Sequence, residues 1–183
     1  AKTIPGADPM LVEKTGRLAD RLSVNIELPS ETSLTTLAPD KKKTAILRPM
    51  GQIAVQSAQS KKEMVLYRGA KPFAPAGQST QMIIGATPET DRHIMDLTEG
   101  LYRKYSLKRV FYSAYLPVVE DRRLPALHTT PPLLRENRLY QADWLLRFYQ
   151  FKVDEIVNDA YPDLDLEVDP KLGWALRHPE QFP

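Results

Sequence analysis

The stretch STQMIIGATPETD, from Ser79 to Asp91, decides the fold that the sequence predicts. It contains the apolar run Gln81 to Ile84, and Gly85 follows, a residue suited to a sharp bend or a close backbone approach. Thr87 or Thr90 can then cap a helix whose first turn is favoured by a proline and two acids. The stretch predicts a strand, a glycine-containing loop and a helix. This is the unit of parallel α/β folds, which bind ligands beyond the carboxyl ends of their strands.

The composition indicates one hydrophobic core. The chain has 183 residues, of which 42% are hydrophobic and 26% charged, too few for two large domains. Its formal net charge of +2 does not by itself indicate nucleic acid. The charge is uneven, because residues 40–71 hold eight lysines and arginines against two acids, and residues 154–169 hold seven acids and no base. Two solvated surfaces explain this distribution as simply as a binding face does.

The chemistry open to the chain is limited by what the sequence lacks. Cysteine is absent, which excludes disulfides, thiolate metal sites and cysteine nucleophiles. The histidines His93, His128 and His178 are far apart and show no zinc-site spacing. No apolar run approaches the roughly 18 residues that span a bilayer and no signal peptide is visible, so we expect a cytoplasmic protein without a membrane partner. The two ends look cut, and we expect a piece of a longer protein.

A second strand is predicted by RLSVNIEL, Arg21 to Leu28, in which apolar and polar residues alternate strictly. In a parallel barrel the apolar side chains face the helices, and Asn25 and Glu27 point inward near the carboxyl-terminal mouth. Buried carboxylates and amides are costly without partners, so this position suggests ligand binding. A solvated face of an exposed strand remains the alternative.

The rest of the chain extends the alternation of strands and helices. Asp8-Pro9 begins a helix, Arg109 to Tyr115 reads as a strand, Leu134 to Tyr149 is the clearest helix, and Asp169-Pro170 begins a short last one. We predict an α/β fold, a partial (β/α) TIM-like barrel over residues 1–157 with an insertion at about 39–77, and a helical extension over 158–183. The nucleotide-phosphate and serine-hydrolase motifs are absent.

Blocks of the sequence resemble the radical S-adenosylmethionine (radical SAM) enzymes. TQMIIGATPETD resembles their strand-five region, ADRLSVNIELPSE their strand four and VFYSAYLPV their strand six. RENRLYQADWLLRFYQF and DPKLGWALRHPEQFP resemble a branch of that family concerned with DNA modification or repair. The likeness runs from Lys2 to Pro183. It implies the carboxyl-terminal half of a radical SAM barrel, S-adenosylmethionine as cofactor and DNA as partner.

The resemblance also implies a reaction that this chain cannot complete. The family reductively cleaves S-adenosylmethionine at a [4Fe–4S] cluster, and the 5′-deoxyadenosyl radical abstracts hydrogen from a substrate. The thiolates of Cys-x-x-x-Cys-x-x-Cys hold that cluster, and this chain has no cysteine. In the family the motif follows strand one, upstream of the part resembled here. We therefore expect iron-sulfur enzyme activity only in the full-length protein and none in this chain alone.

Carried over residue by residue, the resemblance assigns cofactor binding to nine positions: Asn25, Glu27, Ile83, Ile84, Gly85, Tyr112, Ser113, Ala114 and Arg138. Asn25 and Glu27 would contact the ribose or the amino-acid part of the cofactor. The run 83–85 would pack against adenine or give it backbone hydrogen bonds, and the run 112–114 would complete the adenine side of the mouth. Arg138 would pair with the cofactor carboxylate, unless it is an ordinary arginine of the helix surface.

Other interpretations stay open. A non-catalytic module could present the basic 40–71 segment to nucleic acid, and a different barrel enzyme could use Glu27 with Glu89 as an acid/base pair. The open edge of a partial barrel predicts self-association. The aromatic residues Tyr140, Trp144 and Tyr149 are predicted to be core rather than to stack on a substrate.

Overall fold

The computed structural model describes residues 1–181. The elements follow in the order α1 (Pro9–Leu18), β1 (Leu22–Ser23), α2 (Glu31–Leu37), α3 (Lys43–Leu66), β2 (Gln78–Ile84), α4 (Asp91–Tyr105), β3 (Arg109–Ala114), α5 (Leu133–Tyr149), α6 (Val153–Ile156) and α7 (Pro170–Arg177), with a 3-10 turn at Pro179–Gln181. The predicted α/β class is confirmed. Of the predicted extension over 158–183, Phe182 and Pro183 lie outside the described residues.

The strands form an open parallel sheet in the order β1-β2-β3, flanked by helices. β1 pairs in parallel with β2 through Leu22 opposite Gln78 and Ser23 opposite Ser79. Lys2 forms a further parallel bridge to Ser23. The parallel direction that the alternation of strands and helices predicts is therefore present at β1 and β2.

The predicted strand over 21–28 is regular only at its start. The next bridge joins Glu27 to Met82, so the pairing offset has changed by one residue, and Glu27 has a φ of 69°. The backbone N–H of Ile26 donates to the Thr80 hydroxyl at 2.9 Å instead of to a carbonyl of β2. An extra residue and a left-handed backbone are the marks of a bulge, which explains why the ladder breaks before Leu28.

The described chain divides into two compact units, and the first contains Ala1–Met82 and Gly100–Phe111. In this unit α1 packs on α3. Asp8 accepts the backbone N–H of Met10 at 2.7 Å, which caps α1 as the sequence predicts. The core includes the buried side chains of Leu22, Val24, Ile26, Ile46, Met50, Ile53 and Met82. The predicted boundary at 157/158 stays a prediction.

The segment that the sequence marked as an insertion forms one helix of 24 residues, α3, with Pro49 inside it. Proline has no N–H, so the carbonyl of Ala45 lacks its donor four residues along. The backbone N–H of Gly6 donates to that carbonyl at 3.1 Å. The N-terminal segment thus supplies the hydrogen bond that the helix cannot make.

The second unit contains Ile83–Glu99 and the chain from Tyr112 onward. α7 contacts α5 and α6 in this unit. Thr90 accepts the backbone N–H of His93 at 3.3 Å, so of the two predicted caps it is Thr90 that caps α4. The core includes the buried side chains of Ile84, Met95, Tyr112, Leu139, Ile156 and Leu164. In residues 1–181 no helix combines the length and the apolar character needed to cross a membrane.

Candidate functional site

Asn25 and Glu27 lie on the face of their strand that the alternation predicts. Residues 22–28 alternate between buried apolar and half-buried polar side chains, and Asn25 and Glu27 belong to the half-buried set. The Asn25 amide nitrogen donates to Gln81 Oε1 at 3.3 Å, across to β2. Ser23 donates to Asn25 Oδ1 at 2.9 Å, so this amide is held on both sides. The result is a short polar row opposite the apolar core of the first unit.

Glu27 combines an unusual backbone with an ion pair. Its left-handed φ of 69° is uncommon for a residue with a Cβ, and such strain is often found at functional sites. Its carboxylate accepts from Lys41 Nζ at 2.9 Å, with the two side chains 25% and 40% exposed. Lys41 is one of the basic residues of the 40–71 segment, and its partner was not evident from the sequence. A ligand that used Glu27 would have to share it with this ammonium group.

Gly85 takes the positive φ that the sequence pattern requires, at 85° directly after β2. A Cβ built on Gly85 would lie 2.6 Å from Pro132 Cγ, far inside normal contact distance. The close approach that glycine permits here is therefore made by Pro132 of the same chain. The carbonyl of Ile84 accepts the backbone N–H of Tyr115 at 2.8 Å, so it too has a partner within the second unit.

The three β3 residues that the resemblance assigns to the cofactor differ in how deeply they are buried in the second unit. Tyr112 is 2% exposed, and its hydroxyl lies 3.0 Å from Thr98 Oγ1. Ser113 and Ala114 are half-buried, and Glu136 accepts the backbone N–H of Ala114 at 2.6 Å. Tyr112 is thus held inside the unit, whereas Ser113 and Ala114 keep one side at the surface.

Two hydroxyl groups lie in the loops after β2 and β3 without a hydrogen-bond partner in the described chain. Thr87 Oγ1 and Tyr115 Oη are buried and have no hydrogen-bond partner among the described residues. A buried hydroxyl without a partner costs free energy, so a bound water or ligand is expected to satisfy each group. Both residues follow strand ends in the sequence, which is the position where α/β folds bind ligands.

The arginines at the start of α5 have partners in their own unit. Arg138 donates to the carbonyls of Asp165 and Leu166 at 3.2 and 2.9 Å, which ties that loop to the helix. Arg135 Nε donates to Asp91 at 2.7 Å. Burial raises the pKa of Asp91 above its ordinary value, and the Arg135 guanidinium opposes this shift. Both arginines therefore have a structural role whether or not they meet a ligand.

An aromatic cavity of about 320 Å³ lies on α5 beside the start of α7. Tyr140, Trp144 and Tyr149 line it together with polar side chains. Trp144 is 52% exposed and Tyr149 is 53% exposed, so the prediction that they belong to the core is wrong. The prediction rested on the usual burial of aromatic side chains, and that tendency does not say whether another element covers a given face of a helix.

The chain does not provide a cluster site. It contains no cysteine, and within residues 1–181 no group of three or more histidines and acids could hold a metal ion. A [4Fe–4S] cluster therefore does not fit the donor set of this chain. In comparisons with known proteins, no family model, no curated protein and no solved structure matches the chain.

Proposed function

We propose that this chain supplies the carboxyl-terminal strands of a radical S-adenosylmethionine barrel, a partial TIM-like barrel whose polar strand face takes the cofactor. The observation that carries the proposal is the half-buried hydrogen-bonded row formed by Ser23, Asn25 and Gln81 on two strands. Amide groups that are already oriented can bind ribose hydroxyls or an amino acid at little entropic cost. The alternation of parallel strands and helices supports the same proposal.

The role of the chain would be to bind and orient the cofactor rather than to cleave it. Asn25 offers an amide held by two neighbours, and Glu27 offers a carboxylate beside Lys41. The assignment of adenine binding to the run 83–85 stays a separate prediction. Reductive cleavage to a 5′-deoxyadenosyl radical is the chemistry of a cluster whose thiolates are not in this chain.

The test uses the longest gene product that contains this chain. A Cys-x-x-x-Cys-x-x-Cys motif before Ala1, iron-dependent absorbance near about 400 nm and formation of 5′-deoxyadenosine would support the proposal. This chain alone is expected to form none of that product. A complete gene product without the cysteine motif, or one that takes up iron and sulfide but cleaves no S-adenosylmethionine, would overturn the proposal.

A pair of variants links the test to the polar row. Asn25→Ala removes the central amide and is expected to weaken binding of S-adenosylmethionine about tenfold, which is a typical effect of a lost ligand hydrogen bond. Gln59→Ala is the control, because Gln59 is an exposed amide on α3 that bonds Glu63. Equal effects of the two variants would show that the polar row does not bind the cofactor.

Nucleic-acid binding by the basic segment is the second candidate. Lys41 and Lys43 pair with Glu27 and Glu31 at 2.9 and 3.7 Å. Lys61, Lys62, Arg68 and Lys71, in contrast, are all exposed. Their exposure at the carboxyl-terminal end of α3 and just beyond it favours this part of the segment as a surface for a polyanion.

A salt titration decides the second candidate. The logarithm of the association constant between this chain and a DNA duplex should fall linearly with the logarithm of the salt concentration. Lys62→Glu should weaken it further, and Lys14→Glu, the same charge reversal on exposed α1, should do so much less. DNA binding that does not change with salt, or equal effects of the two charge reversals, would exclude the basic segment as the DNA-binding surface.

A further inference from the structure

The aromatic cavity on α5 combines features that no role given so far explains. Within the second unit, Tyr140, Trp144 and Tyr149 supply rings, and Asn137 and Gln141 supply amides. Its volume of about 320 Å³ is within the usual range for small-molecule pockets. Exposed aromatic rings that line one concave site with a few polar groups are the usual mark of a ligand-binding pocket.

Two side chains of the cavity are held in place before any ligand arrives. The hydroxyl of Tyr140 donates to the Tyr112 carbonyl at 2.8 Å and accepts the Tyr112 backbone N–H at 3.0 Å, which fixes the ring. Arg138 donates to Gln141 Oε1 at 2.9 Å, so the amide nitrogen of Gln141 remains as the group that can donate to a ligand. Preorganised rings and amides lower the cost of binding.

The charges at the rim decide between two kinds of ligand for aromatic rings. An aromatic cage often binds a cation, but here Lys171 Nζ already lies 5.2 Å from the centre of the Tyr149 ring. Asp169, the nearby acid, caps α7: its Oδ1 accepts the backbone N–H groups of Lys171 and Leu172 at 3.0 Å, and the positive end of the helix offsets part of its charge. A cationic ligand would be repelled by the Lys171 ammonium group. A flat neutral ring that carries an anionic group would not be repelled, because the anion can pair with Lys171.

We propose that this cavity binds a nucleobase, stacked on Trp144 and Tyr149, with the amides of Asn137 and Gln141 on its edge and Lys171 near its phosphate. Aromatic rings stack on bases of any sequence, and side-chain amides form hydrogen bonds with base edges. Because Gln141 offers N–H donors, the base edge that fits is one rich in acceptors, such as that of guanine. The proposal does not depend on S-adenosylmethionine binding.

The base can come from a free nucleotide or from a single strand, and one experiment separates these sources. The chain is dialysed to equilibrium against guanosine 5′-monophosphate, a short single-stranded DNA rich in guanine, and ribose 5-phosphate. Binding of the mononucleotide alone identifies a free nucleotide as the source, and tighter binding of the oligonucleotide identifies a strand. Ribose 5-phosphate, which has no ring, should not bind measurably. Equal binding of the sugar phosphate and the nucleotide would overturn the proposal, as would binding of neither nucleic-acid probe.

Matched variants assign the binding to the cavity. Tyr149→Ala and Trp144→Ala are each expected to weaken binding about tenfold or more, because each removes one stacking surface. Tyr161→Ala is the control, since Tyr161 is equally exposed, at 55% against 53%, in the same unit but does not line the cavity. Trp144→Phe keeps a ring and should retain most of the affinity. Circular dichroism and the unfolding midpoint confirm that each variant is folded. Equal losses in the Tyr149 and Tyr161 variants would overturn the proposal.

Discussion

Two separate features of the structure require glycine at position 85. Its φ of 85° is strained for any residue with a Cβ, and that Cβ would collide with Pro132. Gly85→Ala should therefore lower the free energy of unfolding by about 2–4 kcal/mol. Urea denaturation followed by circular dichroism measures the change. Gly100→Ala on α4 is the control, because a Cβ at Gly100 meets nothing within 4 Å and alanine favours the helix. A stable Gly85→Ala protein would show that Pro132 is free to move.

Asp91 gives the clearest pH dependence at the level of a single residue. It is 1% exposed and accepts from Arg135 at 2.7 Å and from the backbone N–H of Leu164 at 2.9 Å. Because burial raises its pKa in the folded state above the ordinary 3.8, the folded protein keeps this proton to a higher pH than the unfolded chain does. The contribution of Asp91 to the free energy of unfolding is therefore fully present below pH 3.8, and it is lost as the pH rises through the raised pKa.

The comparison of wild type with Asp91→Asn tests that direction. The variant has no titrating carboxyl group, so the wild type should lose stability relative to it as the pH rises from about 3 through the raised pKa. Urea unfolding at a series of pH values gives the difference. Asp96→Asn, which removes an exposed acid of the same helix 3.7 Å from Arg92, is the control substitution. A wild type that instead gains stability with rising pH would mean that Arg135 outweighs burial.

At the scale of single elements, α3 depends on a hydrogen bond from outside the helix. Pro49→Ala restores the N–H that can donate to the Ala45 carbonyl, in competition with Gly6. We expect the amide proton of Gly6 to exchange with solvent at least about tenfold faster in the variant. Hydrogen exchange followed by NMR measures this rate. The amide of Thr3, which donates to Ser23 at 2.8 Å, serves as the control and should not change. Unchanged exchange at Gly6 would show that its bond does not depend on the proline.

The elements were predicted best where local chemistry decides them. The Asp8-Pro9 and Asp169-Pro170 pairs begin α1 and α7 as expected, because a capping carboxylate and a proline act within one turn. The strand at 21–28 was predicted too long, since its regular pairing ends where the Thr80 side chain and the bulge at Glu27 intervene. Such a partner lies more than fifty residues away in sequence, as the separation of 54 between Ile26 and Thr80 shows.

The candidate site could be predicted only in part, for a related reason. The shared polar face of Asn25 and Glu27 follows from alternation alone, and both residues are half-buried in the structure. The partners Lys41 and Gln81 do not follow from it, because side chains meet through the tertiary fold. The exposure of Trp144 could not be predicted either, since the usual burial of aromatic residues does not reveal whether another element covers this one.

At the scale of the whole molecule, the exposed end of α3 favours association between copies of the chain. Val65, Leu66 and Tyr67 are 86%, 72% and 65% exposed in succession, an unusual run of apolar surface. Size-exclusion chromatography with light scattering should show an apparent mass that rises with concentration. Leu66→Glu should reduce this rise, and Leu18→Glu, at an exposed leucine on α1, should not. A constant monomer mass at every concentration would contradict the prediction.

The left-handed backbone at Glu27 has a consequence for how this strand tolerates change. The bridge to Met82 pairs Glu27 with a fully buried neighbour, yet the Glu27 side chain stays half-buried like those of Ser23 and Asn25. The positive φ accompanies this change of register, and the carboxylate still meets Lys41. Deleting one residue between Val24 and Glu27 would make the ladder regular. It would also move each later side chain of the strand to the opposite face of the sheet. The extra residue therefore keeps the polar side chains of this strand on one face, and a variant without it would place the Glu27 carboxylate against the core.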